Sequence, residues 1–280
     1  MKALKHGRII LIVLLVVAAM FTLCACDDSV SLNYGNANAY TVAGSGEIGA
    51  IASGGGSDSA AGGNSAANVS ISELEIEWIN GDISIVGSDT AQTVSFQEEV
   101  VAGTVNNDTT MHYYQDANVL RIKYAKSGRT QTGNLKKNLL ITVPASLNLW
   151  KIDVENVSGK ISVACDANKV EVESVSGNAD VSGRINRIDV ETVSGQVVVN
   201  CDANLAELDV ETVSGNVLLK QYESMGFRLE YGTISGQYNE GEFAGSVTRQ
   251  GKFRIFGNGR CDIDIETISG SLTLEKIAAA

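Results

Sequence analysis

A single proline, two histidines and an aromatic share of 6% are the scarcities of this 280-residue chain. With His6 near the N-terminus and only His112 elsewhere, there is little material for His-based catalysis or a His-rich metal site. Positive charge is also short. The 21 basic side chains face 33 acidic ones, and a net charge of −12 argues against charge-driven nucleic-acid binding. Few aromatics beside 29 glycines and abundant Ser, Val and Asn favour many short strands over a helical bundle. The length allows one large domain or two ordinary ones.

The one long apolar run, residues 9–23, is short for a membrane-spanning helix and follows Lys2, Lys5 and Arg8. That is the layout of a secretory signal. It ends in Leu23-Cys24-Ala25-Cys26-Asp27, which resembles the bacterial lipoprotein box. The resemblance implies cleavage of a signal at 1–25 and acylation of Cys26, which would hold the chain to a membrane. An uncleaved anchor is the alternative, and both place the remainder outside the cytoplasm. Cleavage removes three basic and no acidic residues, leaving 18 against 33 and a mature charge of −15. Residues 26–70 are rich in Gly, Ser, Ala and Asn without strand or helix period. They read as a flexible linker reaching roughly 35–40 Å.

The main feature is an internal repeat. Six Ser-Gly pairs place glycines at Gly159, Gly177, Gly195, Gly215, Gly236 and Gly270, and a related copy is centred on Gly81. The gap before Gly270 has room for a degenerate copy near Gly251, where Phe253 and Ile255 follow. Relative to each glycine, positions −7, −5, −2, +2 and +4 are apolar. Seven copies make 35 such sites, and only Glu240 breaks the rule. Alternation on either side of the glycine is the signature of strands with one buried face, and the glycine marks the corner between them. Units this small must stack to bury that face. The pattern predicts an all-β fold: a solenoid of parallel strands over 151–276, right-handed by the crossover rule, joined to an irregular β-region at 71–150. An antiparallel meander is the competing arrangement.

The segments 76–85, Leu140-Ile141-Thr142-Val143-Pro144, Ile152-Asp153-Val154-Glu155-Asn156-Val157-Ser158-Gly159 and the later Ser-Gly copies resemble a bacterial envelope family. Its members carry β-strand repeats and the label "putative adhesin", with a domain of unknown function. The resemblance covers about 70–276. It implies a β-solenoid at the cell surface, adhesion as the role, and no catalytic residues.

Candidate chemistry lies on the outward positions. Asp153, Glu155, Glu171, Glu173, Asp189, Glu191, Asp209 and Glu211 form two acidic ladders if the copies stack, and Glu75/Glu77 and Asp264/Glu266 extend them. Such ladders suit a hard cation such as Ca2+, or serve as a solvated outer face. Identical carboxylates on every rung lack the asymmetry that glycoside cleavage needs. Arg121, Lys123, Lys126, Arg129, Lys136 and Lys137 fall in a stretch without acidic residues. They are a candidate patch for anionic polymers or headgroups, or a balance to the acidic repeats. Cys165 and Cys201 lie in equivalent turns two rungs apart, too far for a disulfide. The expected role is a lipid-anchored, non-enzymatic adhesion module that meets a cell-wall polymer, host matrix or membrane protein and takes no nucleic acid. An envelope-stress or signalling accessory is the alternative, and a polysaccharide-acting enzyme the third.

Overall fold

The computed structural model describes residues 29–49 and 70–277, apart from positions 133, 223, 244 and 246. Its strands begin with β1 (Ser29–Ser31), β2 (Thr41–Val42) and β3 (Ser45–Gly49). The Gly81 copy forms β4 (Glu73–Asn80) and β5 (Ile83–Ser88). Next come β6 (Thr93–Ala102), β7 (His112–Asp116), β8 (Val119–Lys123), β9 (Thr130–Thr132) and β10 (Lys136–Pro144). Four regular copies follow as pairs: β11 (Leu149–Ser158) with β12 (Ile161–Ala164), β13 (Ala167–Ser176) with β14 (Ala179–Ser182), β15 (Ile185–Ser194) with β16 (Val197–Asn200), and β17 (Glu207–Thr212) with β18 (Val217–Tyr222). The chain finishes with β19 (Phe227–Thr233), β20 (Tyr238–Asn239), β21 (Val247–Gln250), β22 (Phe253–Phe256), β23 (Cys261–Thr267) and β24 (Leu272–Ile277).

Each copy contributes one strand to each of two sheets. In the 12-stranded sheet, β8-β4-β11-β13-β15-β17-β23-β19 run side by side and parallel. In the 10-stranded sheet, β10-β5-β12-β14-β16-β18-β24-β20 do the same. The parallel pairing sets the meander aside in favour of a solenoid with two strands per coil. Period-two alternation explains the core between the sheets: Val170, Val172, Ala179 and Val181 of one coil are buried, as are Ile188, Val190, Val197 and Val199 of the next.

The corner glycines show why the motif is strict. A Cβ on Gly159 would collide with the carbonyl oxygen of Gly81, one on Gly177 with that of Gly159, and one on Gly195 with that of Gly177. The series continues through Gly215, Gly270 and Gly236. Stacked backbones approach here more closely than any side chain permits, so the requirement is steric as well as conformational.

Two expectations are corrected, and the order of the coils adds a finding that the repeat did not specify. Spatial order departs from chain order, because β23–β24 insert between β17–β18 and β19–β20. The Gly270 copy, apolar at all five positions, needs neighbours on both sides; the Gly236 copy carries Glu240 and suits the end of the stack. The degenerate copy near Gly251 is no coil: β22 runs antiparallel to β19 and β21 and caps the sheet. Finally, 29–49 is not tether. β2 pairs with β7 and β3 with β6, so this segment supplies the outermost strand of both sheets at the N-terminal end. Leu32, 6% exposed, sits in the core. The rest of the expected linker, and the signal with Cys26, lie outside the described residues.

The glycine stack predicts a specific cost. Gly215→Ala, at a position whose φ is not positive, should lower stability by about 1–3 kcal/mol through overpacking alone. Gly35→Ala, with open space around it, should be near neutral. Equal denaturation midpoints for the two variants would contradict the steric account.

Candidate functional site: the ladder face

Parallel stacking in register turns each repeat position into a column. On the outer face of the 12-stranded sheet, Glu75, Asp153, Glu171, Asp189, Asp209 and Asp264 align across successive strands. Beside them run Glu77, Glu155, Glu173, Glu191, Glu211 and Glu266. A flanking column reads Glu73, Lys151, Lys169, Arg187, Glu207, Asp262 and Arg228, in which Arg187 pairs with Glu207 and Arg228 with Asp262. On the far side of the glutamates, Val157, Val175, Val193, Val213 and Ile268 are half-buried.

That last column was expected in the core. Strict alternation from −7 and −5 instead places −3 inside, where Asn156, Ser174, Thr192, Thr212 and Thr267 are buried. Two of these hydroxyls close the corner: Gly215 N–H donates to Thr212 Oγ1 and Gly270 N–H to Thr267 Oγ1, each at 2.8 Å. The apolar character of position −2 obscured this parity in the sequence.

Cations neutralise only part of the face. β8 ends both acidic columns, with Arg121 paired to Glu75 and Lys123 bonded to Glu75 at 2.8 Å and to Glu77. Lys151 reaches Asp153 at 2.8 Å and also Glu171, which Lys169 joins. Among the described residues, no Lys or Arg forms an ion pair with Glu155, Glu173, Glu191, Asp209 or Glu211. Buried carboxylate oxygens of Glu191, Glu211 and Glu266 have no hydrogen-bond partner.

Rungs about 4.8 Å apart put neighbouring charges at roughly 0.9 kcal/mol of repulsion in bulk water, but about 3.5 kcal/mol at an effective dielectric near 20. Half-burial between the first acidic column and the valine column moves the glutamates toward the larger figure. Burial, and then the charges of neighbouring carboxylates, push Glu155, Glu173, Asp209 and Glu211 up to about 7. Glu171 behaves oppositely: burial raises it, yet bonds from Lys151 and Lys169 hold it below its ordinary value. The glutamate column from Glu155 to Glu211 is therefore acidic and under-neutralised. No group of three or more His, Cys, Asp or Glu among the described residues has the arrangement of a metal site.

The expected basic patch is dispersed. Lys123 and Lys137 are 1% and 0% exposed and cannot meet a polymer. Lys137 Nζ bonds Glu98 at 2.8 Å and the carbonyls of Thr109 and Tyr124, and lies 4.1 Å from the Tyr124 ring centroid. Burial pulls its pKa down to about 8 against the opposing pull of Glu98. Arg121 belongs to the acidic ladder, whereas Lys126 and Arg129 both pair with Asp108 and Lys136 is half-buried. A lysine in a strand pattern gives no sign in sequence of whether its amine points inward. Cys165 and Cys201 are free, as expected, and like Cys261 they are buried.

Residues 166–275 match the family model described as Toastrack DUF4097. The Toastrack match spans the ladders from Glu171 to Glu266 and every corner from Gly177 onward, and it bears out the resemblance to a β-repeat family with a domain of unknown function. Two solved structures are also similar. One, titled a "putative cell adhesion protein" from Clostridium sporogenes, is 12% identical over 74% of this chain and 94% of its own, with a TM-score of 0.43. The other, titled a "putative adhesin" from Bacteroides fragilis, is 14% identical over the same shares, with a TM-score of 0.35. No curated protein matches the chain. No helix among the described residues is long and apolar enough to cross a membrane.

Two predictions follow from the electrostatics. Carboxyls whose folded pKa exceeds the ordinary 4.5 or 3.8 bind more protons folded than unfolded over the interval up to about 7. Their stabilisation is full below that interval and is lost as pH rises through it. The melting midpoint should thus fall between about pH 4.5 and 7, and Glu173→Gln with Glu211→Gln should flatten the slope; an unchanged slope would refute the ladder account. Lys137→Met strands Glu98 in the interior and should cost about 3–5 kcal/mol, read by chemical denaturation.

Proposed function

We propose that this chain is a lipid-anchored, non-enzymatic binding module of the bacterial cell surface, an adhesin in the broad sense, that engages a cationic partner surface through its ladder face. The observation that carries the reading is the run of carboxylates at Glu155, Glu173, Glu191 and Glu211, without ion pairs, on a rigid sheet. A ligand bearing ammonium or guanidinium groups at a similar repeat would relieve the repulsion that the stack builds in. Identical groups on successive rungs support binding over catalysis, because acid–base chemistry needs two carboxyls in unlike environments. Acylation at Cys26 supplies the anchor. A membrane-protein partner is the second reading, favoured by how little chain separates Cys26 from β1.

The test uses the mature chain with Cys26→Ala, probed against cell-wall polymers, host-matrix proteins and polylysine across a salt series. Saturable binding that weakens with salt and with Glu173→Gln, Glu191→Gln and Glu211→Gln together is the expected result. Binding indifferent to those changes moves the site off the ladder face. Binding to none of the probes would sink the adhesin reading in favour of a membrane-protein partner.

A further inference from the structure

We infer that the N-terminal cap of the solenoid rests directly on the lipid surface, with the stack of coils standing away from it. This rests on the proposed acylation of Cys26. Only Asp27 and Asp28 lie between that cysteine and β1. Three peptide steps span at most about 11 Å. β1 in turn is fixed: it pairs with β9, and Leu32 just beyond it is buried in the core. Tyr34 N–H donates to Ser127 Oγ and its hydroxyl donates to the Ala125 carbonyl, each at 3.0 Å. No slack remains in which the body could swing free.

The surface brought to the membrane has fitting chemistry. Three of the six large apolar side chains found exposed, Val42, Val100 and Val101 at 40–50%, lie at this end. They belong to β2 and to the end of β6, the capping strands. Lys126 and Arg129 sit in the turn to which Tyr34 is bonded, and both are exposed. Small exposed apolar groups suit the headgroup boundary of a membrane, and Lys126 with Arg129 outnumbers Asp108, the one carboxylate with which both pair. The acidic columns run along the stack, so they lead away from that membrane.

The experiment takes the full acylated chain in phosphatidylethanolamine–phosphatidylglycerol vesicles and labels amines with a membrane-impermeant reagent. Lys126, at the near end, is compared with Lys252, which lies in the turn between β21 and β22 at the far end and is likewise ion-paired. Labelling of Lys126 should fall severalfold on vesicles relative to detergent, while Lys252 stays unchanged. A 20-residue Gly/Ser insertion between Asp28 and Ser29 should restore Lys126. Equal labelling at both ends, with acylation of Cys26 verified by mass, overturns the inference and leaves the anchor standing. Absence of the acyl mass on Cys26 overturns the anchor and the inference together.

Discussion

The close stacking of corner glycines is the constraint on which the rest depends. Each corner backbone abuts the carbonyl of the corner below, so no coil can shift against its neighbour without a collision. Fixed corners fix the register on both sides, and register makes every repeat position a column. The apolar columns gain from this, since branched side chains pack on their own kind across the pleat. The carboxylate columns lose from it, since they cannot stagger to separate their charges. One steric device thus produces both the core and the electrostatic strain of the outer face.

A stack has ends, and unpaired strand edges invite association with other chains. This chain covers both ends with its least regular segments. At one end 29–49 lays β2 and β3 against the sheets; at the other, β21 and β22 turn antiparallel and Phe243 packs beside Phe227 and Phe256. The insertion of β23–β24 follows the same logic. A copy with apolar residues at all five positions is most stable between two neighbours, so the regular Gly270 copy lies inside and the Gly236 copy outside.

The coils were legible in the sequence because period two and an invariant glycine are local signals repeated seven times. The ladders followed from them, since register is implied once like copies stack. What stayed hidden is set by contacts distant in sequence. Gly, Ser and Asn in 29–49 suggest a linker, yet Leu32 and Tyr34 hold it to residues about 90 positions away. Lys123 and Lys137 look solvent-seeking until the carboxylates that receive them, Glu75, Glu77 and Glu98, are placed opposite. The inversion of the last two coils has no local mark except the single Glu240.

Charge on the outer face differs between columns rather than along the stack. Lys123, Lys151 and Lys169 neutralise acids near the N-terminal cap, and Arg187, Arg228 and Lys252 pair with Glu207, Asp262 and Glu230 toward the other end. Between them, Glu155, Glu173, Glu191 and Glu211 have no ion pair among the described residues. A face kept acidic only for solubility would gain from cations spread evenly, since each pair would lower repulsion on its own rung. The cations instead serve the flanking column and the ends of the first acidic column, and they leave the glutamate column bare along its middle rungs. If Cys26 holds the N-terminal cap to the membrane, that bare column runs outward from it. The position of the cations, more than the number of acids, is what singles out the glutamate column.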